Sequence, residues 1–177
     1  MTVMARRLSA SGDVFQDDFA RHSPELPGAA LDWLNARRCA AMEAFAVTGI
    51  PTRRSEAWKW TDLANVLDFG SLAAAGFRQP ARQESIFPEQ ENELAFSGGF
   101  LTRALVQPGI DVVDLAKLDA EAPDWVRDNL GTLALGPDQA MGAASLALMR
   151  SGVAVRVRKN TSLQLGFFDA PSARPDV

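Results

Sequence analysis

The side chains best suited to chemistry in this chain are concentrated between Gly49 and Leu63, a stretch that reads GIPTRRSEAWKWTDL. Trp58 and Trp60 stand at alternate positions there, with the cations Arg53, Arg54 and Lys59 and the carboxylates Glu56 and Asp62 around them. A carboxylate such as Glu56, if enclosed by aromatic rings, would serve as a general acid or base, because an apolar surround disfavours its charged form. Tryptophan beside arginine is equally the composition of a binding anchor, since both cover a large area at modest entropy cost. A structural reading competes with these. On a strand or turn of period two, Trp58 and Trp60 would face one side and join the helical part of the chain to the rest, each ring burying roughly 150–250 Å². The residues by themselves weigh toward that joining role.

Other chemistries find little support. His22 and Cys39 are the only histidine and cysteine, so an internal disulfide is impossible and a His/Cys metal site within one chain is all but excluded. A Ser-His-Asp triad would have to use His22, beside the helix-breaking Pro24. Gly98-Gly99 lacks the strand–loop–helix setting of a phosphate-binding loop. A net charge of −4 gives no general attraction for nucleic acid. The basic runs Arg37–Arg38, Arg53–Arg54 and Arg156–Lys159 read as solvated faces. No apolar run approaches the ~20 residues of a membrane helix, and the N-terminus lacks a secretory pattern. The expectation is a non-catalytic, cytoplasmic chain that binds no cofactor alone.

The elements that would position this stretch follow from periodicity. Phe15 and Phe19 fall on one face of a short helix from Val14 to about Arg21, capped by Asp13 and broken by Ser23-Pro24. A longer helix is predicted from Ala29 to Thr48, its stripe made of Leu31, Leu34, Arg38, Ala41, Phe45 and Thr48 and widened by Trp33, Ala40 and Ala44. Gly49 and Pro51 would stop it, and Cys39 within it reads as a buried thiol. A short turn through Leu67 and an irregular span from Leu72 to Glu91 come next.

Leu94–Phe96 and Leu101–Val106 then predict a β-hairpin around Ser97-Gly98-Gly99. A third strand is expected over Ile110–Leu115, and helices over Asp119–Leu130 and Pro137–Ser151. Alternating strands follow over Val153–Arg158 and Leu163–Phe168. The fold class is α+β, with a helical region over residues 1–90 and a β-rich region over residues 91–177.

The stretch from Gly49 to Leu63 resembles the N-terminal signature of the SufB/SufD family of iron–sulfur cluster assembly proteins, and within it the SufD branch. Gly49, Pro51, Thr52, Arg53, Arg54, Glu56, Trp58, Lys59, Thr61, Asp62 and Leu63 match that pattern, with Trp60 in its aromatic slot. Asn92–Val106 resembles the family's hairpin, and Ala143–Val157 its helix-to-strand junction. Gly142-Ala143-Ala144-Ser145 departs from the bulkier, Asn-containing sequence usual there. The resemblance covers roughly residues 29–168.

That resemblance implies an N-terminal portion ending in the first strands of a right-handed parallel β-helix, with SufB-like and SufC-like subunits as partners. It implies a scaffold rather than an enzyme, with the iron–sulfur cluster belonging to the larger complex. The family's contacts with these partners lie later in the chain than any residue here, so none carries over. An open edge on the last strand is expected to drive self-association or to leave that strand disordered. A stand-alone interaction module using the Trp/Arg segment is the alternative.

Overall fold

The computed structural model describes residues 14–63, 91–133 and 139–168. The expected turn after Leu63, the span from Leu72 through 90, and the Asp13 cap lie outside these residues. The chain divides into two compact units, one made of Met1–Gly76 and Asp119–Met149, the other of Phe77–Leu118 and Arg150–Val177.

The first unit is helical. Residues 14–22 form helix α1, followed by a 3-10 turn at Ser23–Glu25 with a proline in its first turn. Helix α2 spans Asp32–Thr48. It starts later than the Ala29 expected from the sequence because residues 28–31 are taken up by turns, with Ala29 N–H donating to Leu26 O and Leu31 N–H to Gly28 O. Gly49 ends α2 at φ 66°, with its N–H donating to Phe45 O. A left-handed residue at that position is most easily glycine.

The apolar stripe of α2 is the expected one from Leu31 through Phe45, with Met42 added to it and its Thr48 end exposed. Leu34, Arg38, Ala41, Met42 and Phe45 are buried, whereas Ala40, Thr48 and Cys39 are exposed. The thiol expected inside therefore faces water: with residues 38 and 42 one turn apart on the buried face, residue 39 is carried about 100° away from it.

Helix α3 is shorter than its sequence pattern, running only over Asp124–Asn129. Pro123 disfavours helical geometry at the residue before it, so the chain from Asp119 stays non-helical. Helix α4 spans Ala140–Ala147. Its alanines Ala140, Ala143, Ala144 and Ala147, with Leu146, pack against Ala41, Met42, Phe45 and Ile50, and Phe15 and Phe19 close over this cluster. Small side chains on α4 let the two helices approach closely. Phe15 meets Phe45 edge to face at 5.2 Å, and burying a ring like Phe45 stabilises by about 1.5–3 kcal/mol.

Among the described residues the second unit carries five strands in two sheets. Strands β1 (Glu93–Ser97) and β2 (Phe100–Leu105) form the predicted antiparallel hairpin. Gly98 and Gly99 adopt φ 55° and 86° at its turn, the double positive φ that a two-residue turn of this hand requires. Register slips between Ala95 and Phe96, where Thr102 Oγ1 donates to Ala95 O at 3.1 Å.

Strand β3 (Ile110–Asp114) does not extend the hairpin; it pairs antiparallel with β4 (Val153–Val157). Strand β5 (Gln164–Phe168) returns to lie parallel to β1, giving the order β2-β1-β5. Alternation on β5 is inverted relative to its pattern: the apolar Leu165 and Phe167 are the exposed residues, at 50% and 74%. Phe167 stacks on Phe96 of the neighbouring strand, centroids 5.1 Å apart. The architecture is α+β with mixed sheet pairing.

Candidate functional site

The stretch from Gly49 to Leu63 belongs to the helical unit and leaves the end of α2 as a loop fixed at both ends. Ile50 is part of the cluster between α2 and α4, and Leu63 packs against the same cluster. Between them the backbone is a succession of tight turns. Ser55 N–H donates to Thr52 O, Trp58 N–H to Ser55 O and Thr61 N–H to Trp58 O, all within 3 Å, with a 3-10 turn at Glu56–Trp58. Thr52 Oγ1 adds an acceptor for Arg54 N–H at 3.3 Å.

Burial then sorts the side chains. Pro51 is buried; Thr52, Trp58 and Asp62 are half-buried; Arg53, Arg54, Glu56, Lys59, Trp60 and Thr61 are exposed. The loop brings together Arg53 and Asp62, Nε to Oδ2 4.0 Å, and joins Lys59 Nζ to Glu56 Oε1. It also sets Lys59 Nζ 5.6 Å from the centre of the Trp60 ring. It does not bring Trp58 and Trp60 onto one buried face. Helical turns replace the expected period of two, and Trp60 is left 87% exposed. Glu56, the candidate acid or base, sits in solvent in an ion pair rather than among rings.

Residues 10–165 match the family described as SufBD protein N-terminal region. The chain belongs to the SufBD family. No curated protein and no solved structure matches it. The signature residues of this SufBD chain are divided among a buried Pro51, half-buried Thr52, Trp58 and Asp62, and an exposed group of Arg53, Arg54, Glu56, Lys59, Trp60 and Thr61.

An iron–sulfur cluster is held by several thiolate or imidazole ligands. This SufBD chain offers Cys39 and His22 alone, and His22 is engaged by Asp18 and Glu25 at 3.7 and 3.4 Å. Among the described residues no three His, Cys, Asp or Glu side chains are grouped to hold a metal. The donor set here does not complete a cluster site.

Sequence reasoning missed three polar centres. Arg38 was placed on the buried stripe of α2 as a position, without a role. Its guanidinium is 1% exposed, and Nη2 donates to Pro27 O at 2.8 Å and Met149 O at 3.0 Å. Burial pushes its pKa down from the usual arginine value. Asn92 joins three segments of the β-rich unit. Its Nδ2 donates to Ser162 O and Thr161 Oγ1, its Oδ1 accepts from Gln107 N–H at 2.7 Å, and its own carbonyl accepts from Gln164 N–H. Asp111 on β3 accepts on one carboxylate oxygen from both Arg156 of β4 and Arg158 just past its end, at 2.7–2.8 Å. Those two guanidiniums hold its carboxyl below the usual range. The basic run Arg156–Lys159 at the end of β4 was the visible signal for that third centre; its partner on β3 was not visible.

Proposed function

We propose that this chain is a non-catalytic, SufD-like part of the scaffold that assembles iron–sulfur clusters in the cytoplasm, working through protein–protein contacts with SufB-like and SufC-like subunits. The match of residues 10–165 to the SufBD N-terminal region carries this reading.

In the same reading β5 is the first strand of a right-handed parallel β-helix. Its parallel pairing with β1 and its ladder of Leu94 with Leu165 and Phe96 with Phe167 support this, because such a ladder offers a next parallel strand matching apolar rungs.

The test is a pull-down of tagged SufB-like and SufC-like subunits from the same genome with this chain. Co-purification in a fixed ratio is the expected result, and recovery of the chain alone would count against the reading. Deleting residues 1–90 from the protein in cells should slow cluster delivery to a reporter enzyme; normal delivery would make the helical region dispensable.

A further inference from the structure

The loop after α2 spends a tryptophan where folding gains almost nothing from it. At 87% exposure the Trp60 ring leaves most of its apolar surface in water, although an indole can bury roughly 150–250 Å². Its backbone is nonetheless set in place by the turns at Thr52, Ser55 and Trp58 and by Ile50 and Leu63 in the core. On a fixed backbone, contact has only the side chain's own rotamers left to order. Lys59 stands over one side of the ring at 5.6 Å, and the high exposure of Trp60 leaves the other side to solvent.

Charge along the loop is unbalanced. Arg53 is matched by Asp62, and Lys59 by Glu56. Arg54 is exposed and has no carboxylate partner among the described residues. The loop therefore carries an excess positive charge in a chain of net charge −4.

We propose that residues 52–61 are a docking surface for a protein segment that carries an apolar or aromatic side chain next to carboxylates. The apolar group stacks on the open side of Trp60, and a carboxylate pairs with Arg54. Arginine and tryptophan, exposed here on one loop, are residue types that dominate interface energetics, and a guanidinium suits a carboxylate through its forked donors. A lipid surface is a poorer fit, because membrane attraction takes a cluster of about 4–8 basic residues, and a phosphate backbone likewise takes many cations. The proposal rests on the reading that this chain acts through protein assembly, and the two can fail separately.

Fluorescence anisotropy of short labelled peptides against the full chain tests it. One peptide is composed of Glu, Phe and Leu, one of Lys, Phe and Leu, and one of Glu and Ser. The first should bind at least about tenfold more tightly than the others, and Trp60→Ala and Arg54→Glu should each weaken it by about fivefold or more. Trp60→Phe should retain more binding than Trp60→Ala. Circular dichroism should be unchanged in each variant, since both side chains lie outside the core. Equal binding of all peptides, indifference to Trp60→Ala or Arg54→Glu, or Trp60-dependent binding to phosphatidylglycerol vesicles instead would overturn the proposal. So would Trp60-dependent dimerisation without peptide binding. If peptide binding fails while SufB-like and SufC-like subunits still co-purify, this surface is wrong and the family role stands.

Discussion

Arg38 shows how a charged residue can occupy a core position with no ion-pair partner among the described residues. Its Nη2 serves the carbonyls of Pro27 and Met149, while Nε and Nη1 have no partner among the described residues. Desolvating a guanidinium is costly, and replacing buried charge by apolar volume is often neutral or better. Arg38→Met, which keeps most of the volume, should therefore cost only about 1–2 kcal/mol through the two carbonyls it leaves bare. Arg38→Ala adds a cavity and should cost roughly 2–5 kcal/mol. Urea unfolding of both variants decides the matter; equal losses would mean that the hydrogen bonds dominate. Asn92 is the opposite case, a buried side chain with both of its ends used. Asn92→Ala removes three of its contacts and strands the Gln107 amide, which should lower the stability of the β-rich unit by roughly 2–4 kcal/mol. Hydrogen exchange at Gln107 and Gln164 should accelerate in parallel, and unchanged protection there would refute that assignment.

At the scale of elements, the pairing of β3 with β4 places Asp111 opposite Arg156. Two guanidiniums converging on one carboxylate oxygen lower the Asp111 pKa in the folded state, so the unfolded chain binds the proton more readily than the folded one. The sign follows from linkage: the contribution is complete above the unfolded carboxylate value near ~3.9 and disappears as pH falls through the lower folded value. A carboxyl-carbon NMR titration should find Asp111 still ionised where exposed aspartates have begun to protonate, and Asp111→Asn should abolish that difference. The same elements show what a sequence can disclose. Local rules were sufficient for α2 and its glycine stop, and for the hairpin and its paired glycines, because those features are settled by neighbours in the chain. Partnerships across long separations were hidden. Nothing in Ile110–Asp114 reveals that its partner is β4 rather than β2, and nothing in Gln164–Phe168 reveals a parallel mate at β1. In the candidate site, the composition of Arg53–Asp62 was plain, but the turn geometry that buries Pro51 and exposes Trp60 was not. A period of two and a chain of 3-10 turns use the same residues and differ only in backbone hydrogen bonding.

For the molecule as a whole, the exposed apolar pair on β5 has consequences in solution. Leu165 and Phe167 lie on a strand with a partner on one side only among the described strands. An apolar strand edge of that kind invites pairing with another chain. Light scattering of the isolated chain should show concentration-dependent association that Phe167→Asp with Leu165→Asp relieves, and a strict monomer before mutation would contradict the expectation. The path of the chain also bears on how it is made. Arg38 meets Met149 across 111 residues of sequence, and Asn92 meets Ser162 across 70. Both units therefore await segments from the last third of the chain. During synthesis, α2 emerges before the α4 alanines that pack against Ala41 and Met42, and that side of it waits until α4 has been translated. Contacts of such long separation slow folding, and a nascent chain in that state is a natural client for chaperones that shield apolar helices.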